Sequence, residues 1–243
     1  MIYYIRNLAC LKEHFWQRAF PALDAARQVR TLRWRAAHDR NLSVLGYLLL
    51  RLGLYKEYGW RQPPRLVYGQ RGKPCLHKGW PHFSLSSCPQ AVLCALDTFP
   101  VGIDVALPSA FSHSTMPDAL LPKIYNAQEI SLIQGAADRA GMACTLWAAK
   151  ESLCKCTGEG LTDALPYVLS RSRPRLALHG TLTSLPLPVA QHKAALPAQL
   201  RLDGLHWAHS ALTLALCRTQ RGGLAAPVCH EVRVEDVERL FLR

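Results

Sequence analysis

Asp104 stands in an unusual context for a charged residue. It lies within the apolar run VGIDVAL, and period-two alternation places Gly102 and Ala106 on its face of a strand. An ionised carboxylate in such a strand is costly unless a cation or hydrogen-bond donors compensate it. The small neighbours would also leave room for a bulky polar ligand. The ordinary alternative is an aspartate at the exposed end of the strand, where it caps a turn before Pro108.

A second group of ionisable residues lies in the segment WAAKESLCKCTGEGL. On a helix, Trp147, Glu151 and Lys155 fall at i, i+4 and i+8 and form one stripe, with Lys150 about 100° around the axis. Glutamate before lysine at this spacing is also a common surface ion pair. The glycines that follow would end the helix, and they could also let the backbone pass close to a ligand.

Two further segments carry groups that could bind phosphate. In QRGKPCL, Gly72 and Pro74 predict a turn with Lys73 at its tip, where a lysine can meet a phosphate as a point charge. In HFSLSSCPQ, Ser86 and Ser87 lead into a strand, and their hydroxyls could bind the same kind of group. A solvated lysine and turn-forming serines are the ordinary alternatives.

Each half of the chain offers helical and strand patterns in similar amounts, which predicts an α+β fold. The AVLCAL and VGIDVAL runs are expected to pair as a hairpin, and Asn126 with Glu129 forms a capping-box pattern that starts a helix. The other predicted elements are a strand over residues 1–9, an arginine-rich helix over about 21–36, a core helix over 42–54, a loop at YGQRGKPCL, a helix ending at Gly158, a β-rich remainder with LHWAHSALTLALC as its clearest strand, and a closing strand or helix in EVRVEDVERLFLR.

Composition narrows the class of protein further. The chain has 29 Lys and Arg against 17 Asp and Glu, a formal net charge of +12, which favours acidic or phosphorylated partners over basic ones. No zinc-finger spacing or RNA-binding signature accompanies this charge. The nine cysteines include no C-x-x-C pair, which indicates free thiols in a reducing compartment. With no signal peptide and no long apolar stretch, we expect a cytoplasmic protein without membrane spans.

The order of these segments resembles one family. A G-K-P loop, an F-x-x-S strand entry, G-I-D-V and W-x-x-K-E-x-x-x-K-x-x-G-x-G-L together resemble the 4′-phosphopantetheinyl transferases, above all their Sfp-like, surfactin-synthetase-activating class. The resemblance covers roughly residues 35–165. It implies two similar α+β halves, related by a pseudo-twofold axis with coenzyme A in the cleft between them, which we divide as residues 1–107 and 108–243. It also implies a monomer.

The resemblance further implies a reaction and a set of site residues. Such an enzyme, a holo-[acyl-carrier-protein] synthase in type, moves the 4′-phosphopantetheine arm of coenzyme A to a serine of an acidic acyl or peptidyl carrier protein. Asp104 and Glu151 would be the Mg²⁺ ligands, with Glu151 or a metal-bound water as the base, and Lys155 would stabilise the transferring or leaving phosphate. The expected coenzyme A contacts are Lys73, Ser86, Ser87, Lys150 and Arg40.

Two departures from the family pattern keep alternatives open. The second acid that often follows the aspartate is replaced by Ala106, and Ser87 stands where relatives commonly have a histidine that meets the 3′-phosphate. A coenzyme A-binding protein that has lost turnover is therefore one alternative. A basic protein that binds RNA or another polyanion is the other, suggested only by the net charge.

Overall fold

Runs of helices and runs of strands follow one another in the described part of the chain, which agrees with the predicted α+β class. The structure is a computed structural model that describes residues 1–158, 168–169, 182–187, 189–190, 200–207, 212–219 and 227–242. It divides into two units, one formed by residues 1–98 with 227–243 and the other by residues 99–226. The predicted division at 107/108 therefore differs in two ways, because VGIDVAL belongs to the second unit and the C-terminal segment belongs to the first.

The first unit contains a four-stranded sheet and a long central helix. Its elements are β1 (Ile2–Arg6), α1 (Phe15–Ala19), α2 (Ala25–Leu32), α3 (Ala37–Tyr58), β2 (Leu66–Tyr68), β3 (Pro74–Leu76), β4 (His82–Cys88), β5 (Ala91–Asp97), β12 (Cys229–Glu231) and α6 (Val234–Phe241). The sheet order is β12-β1-β5-β4, with β12 parallel to β1 and the other neighbours antiparallel. Strands β2 and β3 form a separate two-stranded ladder.

Helix α3 is the core of the first unit. Nearly every residue from Asn41 to Leu54 is buried, because the helix packs on β4 and β5 and is covered by α1, α2 and α6. A helix that is apolar all round is stable only when enclosed in this way. It ends at Gly59, whose φ of 69° is the left-handed conformation that favours glycine at this position.

The second unit repeats the combination of a sheet and a long helix. Its elements are β6 (Val101–Ala106), α4 (Ala127–Gln134), α5 (Arg139–Thr157), β7 (Val168–Leu169), β8 (Leu182–Leu187), β9 (Val189–Ala190), β10 (Leu200–Trp207) and β11 (Thr213–Thr219). The main sheet has the order β6-β11-β10-β8, all antiparallel, and α5 packs on β6 and β11. Strands β7 and β9 form a second, two-stranded sheet.

Several predicted elements are confirmed. The N-terminal strand, the core helix, the capping box of α4 and the end of α5 at Gly158 are all present. The arginine-rich helix is shorter than predicted, since α2 ends at Leu32 and leaves Arg33 and Arg35 outside it. The predicted closing segment supplies both alternatives, the strand β12 and then the helix α6.

Three predictions of strand pairing and extent were wrong. AVLCAL and VGIDVAL do not pair, because β1 and β4 already occupy both edges of β5, and β6 pairs with β11 instead. In LHWAHSALTLALC, residues 205–207 and 213–217 lie in two antiparallel strands, β10 and β11, so the segment is not one strand. YGQRGKPCL is not wholly a loop, since it closes the β2–β3 ladder. None of the helices in the described ranges combines the length and hydropathy that crossing a bilayer requires.

Candidate active site

Strand β6 and helix α5 meet in direct backbone contact, and Gly102 makes this approach possible. A methyl group on Gly102 would collide with the carbonyl oxygen of Ser152 and the amide of Cys156. The Cys156 thiol donates a hydrogen bond to the carbonyl of Pro100 at 3.2 Å, which holds the end of the helix against the start of the strand. The small residue at this point therefore admits a helix, and not the bulky ligand that the sequence suggested.

Asp104 lies two residues further along the same face and is buried. Its Oδ1 accepts a hydrogen bond from the Lys155 ammonium at 2.6 Å, with side-chain exposures of 7% for the aspartate and 27% for the lysine. The alternative of an exposed aspartate at the end of a strand is thus wrong. The cation that a buried carboxylate requires comes from α5.

Glu151 joins this pair from one turn earlier on α5. Its Oε2 lies 3.9 Å from the Lys155 ammonium. Burial raises the pKa of the Glu151 carboxyl above its ordinary value, the nearby Lys155 charge opposes that rise, and the Asp104 carboxylate adds to it. Two carboxylates therefore face one lysine, and together the three side chains carry one net negative charge.

Trp147, the first residue of the predicted stripe, contacts a different neighbour. Its ring lies 5.9 Å from that of Phe111, centroid to centroid. It is half-buried beside the apolar cluster under α5. The stripe is confirmed as a shared helix face, but the structure gives Trp147 a packing role.

Lys150 is placed away from this face, in the interior of the second unit. Its side chain is 1% exposed, and its ammonium lies 2.7 Å from Oε2 of Glu129, which is fully buried. The pair has the separation of an ion pair but not the angles of a hydrogen bond. Lys150 is therefore buried in the interior, whereas the sequence predicted that it contacts a phosphate.

Lys73 lies on the tight loop that joins β2 to β3, in the first unit. The Lys73 carbonyl accepts from the Gly69 amide at 3.0 Å, and Gly72 has a φ of 80°. A Cβ on Gly72 would lie 3.6 Å from the Arg30 guanidinium, which in turn stacks over the Tyr68 ring at 4.9 Å. The loop therefore presents one lysine with an arginine beside it.

Ser86 and Ser87, the two serines of the strand entry, lie on opposite faces of β4. Ser86 is buried, whereas Ser87 is exposed. They are consecutive in β4, so their side chains point to opposite faces of the sheet. One ligand atom cannot meet both hydroxyls from the same face of β4.

Arg40, the remaining predicted contact, is held by aromatic neighbours at the start of α3. Its Nε donates to the Trp34 carbonyl at 2.8 Å, and its guanidinium lies 4.7 Å from the centroid of the Trp16 ring. This arrangement gives Arg40 a structural role in fixing the entry to the core helix.

Comparison with known proteins finds a family model that matches the residues around this site. A sequence profile of the 4′-phosphopantetheinyl transferase superfamily matches residues 100–217, which include Asp104, Glu151 and Lys155. Over these residues the chain is similar to the 4′-phosphopantetheinyl transferase superfamily. The resemblance drawn from the motifs is confirmed by this match.

Three curated relatives in the superfamily extend the similarity beyond the profile. A 4′-phosphopantetheinyl transferase of Bacillus subtilis is 27% identical over 167 residues, which are 66% of this chain and 70% of the relative. The Sfp transferase of Bacillus subtilis strain 168 is 26% identical over 153 residues, covering 60% and 65% of the two chains. The psf-1 transferase of Bacillus pumilus is 28% identical over 178 residues, covering 72% and 71%.

The chemistry of the site suits the Mg²⁺ that this superfamily implies. One or two carboxylates are the protein ligands that Mg²⁺ commonly uses when substrate phosphates and water complete its octahedron. Ala106 offers no third carboxylate, and within the described residues no group of three or more His, Cys, Asp or Glu side chains is placed to hold a metal. The fit therefore rests on Asp104 and Glu151 alone.

Sequence reasoning missed Glu129 as the partner of Lys150. It identified Glu129 only as the third helical residue of a capping box, because the Asn126 pattern explained the glutamate without further demand. The partner of Lys150 lies on another helix, and no spacing rule joins α4 to α5. The Gly160 and Leu161 positions of the motif lie outside the described residues.

Proposed function

We propose that this chain transfers the 4′-phosphopantetheine arm of coenzyme A to a serine of an acyl or peptidyl carrier protein. The serine oxygen would form a bond to the phosphorus that carries the arm, the pyrophosphate P–O bond would break, and adenosine 3′,5′-bisphosphate would leave. The observation that carries the proposal is the convergence of Asp104, Glu151 and Lys155 in a chain that is similar to this superfamily.

Asp104 and Glu151 are the residues that we assign to Mg²⁺. The ion, when bound, would neutralise charge on the pyrophosphate and on the departing nucleotide. Asp104 reaches the site from β6 and Glu151 from α5, so the cation would bind where the strand and the helix touch. The close contact at Gly102 supports this role, because it holds the two carboxylates on fixed backbones.

Glu151 is also the residue that we assign as the base for the carrier serine. Burial raises the pKa of its carboxyl, and a base with a raised pKa accepts a proton more readily at neutral pH. Lys155 would contact the phosphate that the serine attacks. Its side chain is 27% exposed, so the ammonium can leave Asp104 for a ligand oxygen without crossing the protein interior.

Contacts with coenzyme A in the first unit are assigned to Lys73 and Ser86. We add Arg30, whose guanidinium lies beside Gly72 at the same loop, as a source of the charge that Ser87 does not supply. Arg40 is held by Trp34 and Trp16, and Lys150 by Glu129, which argues against direct phosphate contacts for either.

The carrier protein would be the acidic partner of a basic chain. A net charge of +12 raises the rate at which acidic molecules meet the protein, and both coenzyme A and an acidic carrier would benefit. The eight cysteines whose side chains the structure describes are free thiols, which supports action in a reducing compartment such as the cytoplasm.

Intact-mass measurement of an apo carrier protein tests the proposal. We expect incubation with this chain, coenzyme A and Mg²⁺ to add one phosphopantetheine mass, and neither Asp104→Asn nor Glu151→Gln to do so. Glu235→Gln serves as the matched control, since Glu235 is an exposed carboxylate in the other unit. Carriers of the fatty-acid, polyketide and peptide-synthetase types that all stay unmodified would contradict the proposal.

Binding without transfer is the second candidate, and the absence of an acid at Ala106 favours it. Titration calorimetry with coenzyme A, with and without Mg²⁺, separates the two. Tight binding combined with an unmodified carrier would replace our proposal by this candidate. Binding of RNA that coenzyme A does not displace would instead favour a polyanion-binding protein.

A further inference from the structure

The buried pair of Glu129 and Lys150 has no assigned role in the reaction. Glu129 lies on α4 and Lys150 on α5, with side-chain exposures of 0% and 1% and a separation of 2.7 Å. Among the described residues, no group accepts a hydrogen bond from the Lys150 ammonium. Glu129 therefore supplies the compensation that a buried cation requires.

The carboxylate of Glu129 is fixed from its own helix as well. Its Oε2 accepts from the Asn126 amide at 3.0 Å, and the Glu129 amide donates to Oδ1 of Asn126 at the same distance. Tyr125, which precedes Asn126, is also buried, and its hydroxyl donates to the carbonyl of Ala143 on α5 at 2.9 Å. The start of α4 is thus tied to α5 at two points.

The Glu129–Lys150 pair lies on the face of α5 that is adjacent to the face carrying Glu151 and Lys155. Lys150 precedes Glu151, so its side chain leaves the helix about 100° around the axis from that of Glu151. Holding Lys150 on α4 therefore fixes the rotation of α5 about its own axis. That rotation decides where Glu151 and Lys155 lie relative to Asp104 on β6.

We propose that Glu129 is a positioning residue of the active site, which holds Lys150 and thereby sets Glu151 and Lys155 against Asp104. The inference rests on the proposed function for its link to turnover. Its structural part, the setting of α5 against β6, does not depend on that function.

Three variants separate positioning from stability alone. Glu129→Gln keeps an amide oxygen that can cap α4 but leaves Lys150 as an unpaired buried cation. Lys150→Met keeps most of the apolar stem but removes the positive charge that faces Glu129. The double variant has neither charge, and replacing a buried ion pair by neutral side chains commonly restores stability.

The surface pair of Asp118 and Arg139 provides a matched control. Arg139 is the first residue of α5, and its Nη2 lies 2.7 Å from Oδ1 of Asp118. The Asp118 side chain is 48% exposed and the Arg139 side chain is 44% exposed. The double variant Asp118→Asn with Arg139→Met removes an ion pair from the same helix without touching its buried face. We expect it to leave both turnover and the setting of α5 unchanged.

The test measures melting temperature, steady-state kinetics and hydrogen exchange of residues 100–106 and 151–157 in parallel. We expect each buried single variant to melt below the wild type and the buried double variant to recover. In that double variant kcat should stay at least tenfold lower with KM for coenzyme A within about twofold, and exchange in both segments should be faster than in the control. Lys150→Arg, which keeps the charge, should recover part of kcat.

The readouts keep the two proposals apart. If the double variant has wild-type kcat and wild-type exchange, the pair is structural only and the inference is overturned. If the wild-type chain transfers nothing, the proposed function fails, and the exchange of residues 100–106 and 151–157 alone decides whether Glu129 positions α5.

Discussion

The Lys155 ammonium lies 2.6 Å from Oδ1 of Asp104, joining residues that are 51 positions apart in the chain. The contact brings the strand carboxylate to the helix that carries Glu151. The same ammonium faces both carboxylates. We expect a divalent cation and the substrate phosphates to redistribute these charges, with Lys155 turning to a phosphate oxygen.

Removal of either carboxylate should abolish transfer without unfolding the protein. Asp104→Asn and Glu151→Gln keep the size of each side chain, so we expect near-wild-type circular dichroism. Turnover should fall by roughly 10²–10⁴-fold, the range for loss of a catalytic acid or base. Rates are measured by the appearance of holo carrier in intact-mass spectra. A variant that keeps more than a tenth of wild-type kcat would remove that residue from the site.

Gly102→Ala should destabilise the second unit and impair turnover together. The added methyl group meets the backbone of α5 at Ser152 and Cys156, which cannot move without shifting the helix. We expect a loss of about 1–3 kcal/mol in the free energy of unfolding, as for other overpacked sites. Denaturant titration measures the loss, and carrier modification measures the accompanying effect on kcat.

Gly46→Ala provides the contrasting glycine. It lies inside α3, and its added Cβ would make only ordinary contacts, the shortest being 3.6 Å to the Arg27 guanidinium. Alanine should raise the free energy of unfolding by roughly 0.5–1 kcal/mol through helix propensity. If Gly102→Ala and Gly46→Ala change the free energy of unfolding equally, α5 and β6 are not in close backbone contact at Gly102.

Features that depend on residues close together in the sequence could be predicted, whereas features that depend on distant residues could not. The capping box of Asn126, the end of α5 at Gly158 and the shared face of Glu151 and Lys155 were predictable, because each depends on residues within a few positions. The pairing of β6 with β11 was not, since it depends on β5 already having two neighbours. The same holds for Lys150, whose partner Glu129 is on another helix.

Burial of the Glu151 carboxylate costs free energy, and this cost predicts how the free energy of unfolding depends on pH. Because its pKa is raised in the folded protein, the folded state holds the proton more tightly than the unfolded chain. The free energy of unfolding should therefore fall as pH rises from the ordinary value of 4.5 through the raised pKa. Glu151→Gln removes this cost, so the variant should be more stable than the wild type at pH 7.

Denaturant titrations of both proteins between pH 4 and 8 test this sign. The advantage of Glu151→Gln should shrink toward zero below pH 4.5, where the wild-type carboxyl is protonated in both states. A variant less stable than the wild type at pH 7 would mean that the attraction to Lys155 outweighs the burial of the carboxylate.

Lys73→Ala should weaken the binding of coenzyme A with little effect on turnover. A lysine that meets phosphate as a point charge acts mainly on binding, so we expect KM for coenzyme A to rise by roughly tenfold and kcat to change less than twofold. Lys12 is an exposed loop lysine of the first unit, and Lys12→Ala should leave both constants unchanged. Equal kinetics for the two variants would exclude Lys73 from the binding site.

Anomalous diffraction from crystals grown with Mn²⁺ and coenzyme A tests the central claim most directly. We predict one metal peak in contact with carboxylate oxygens of both Asp104 and Glu151, with Lys155 turned from Asp104 toward a phosphate oxygen. A metal held by only one of these carboxylates, or bound at another place in the chain, would contradict the account.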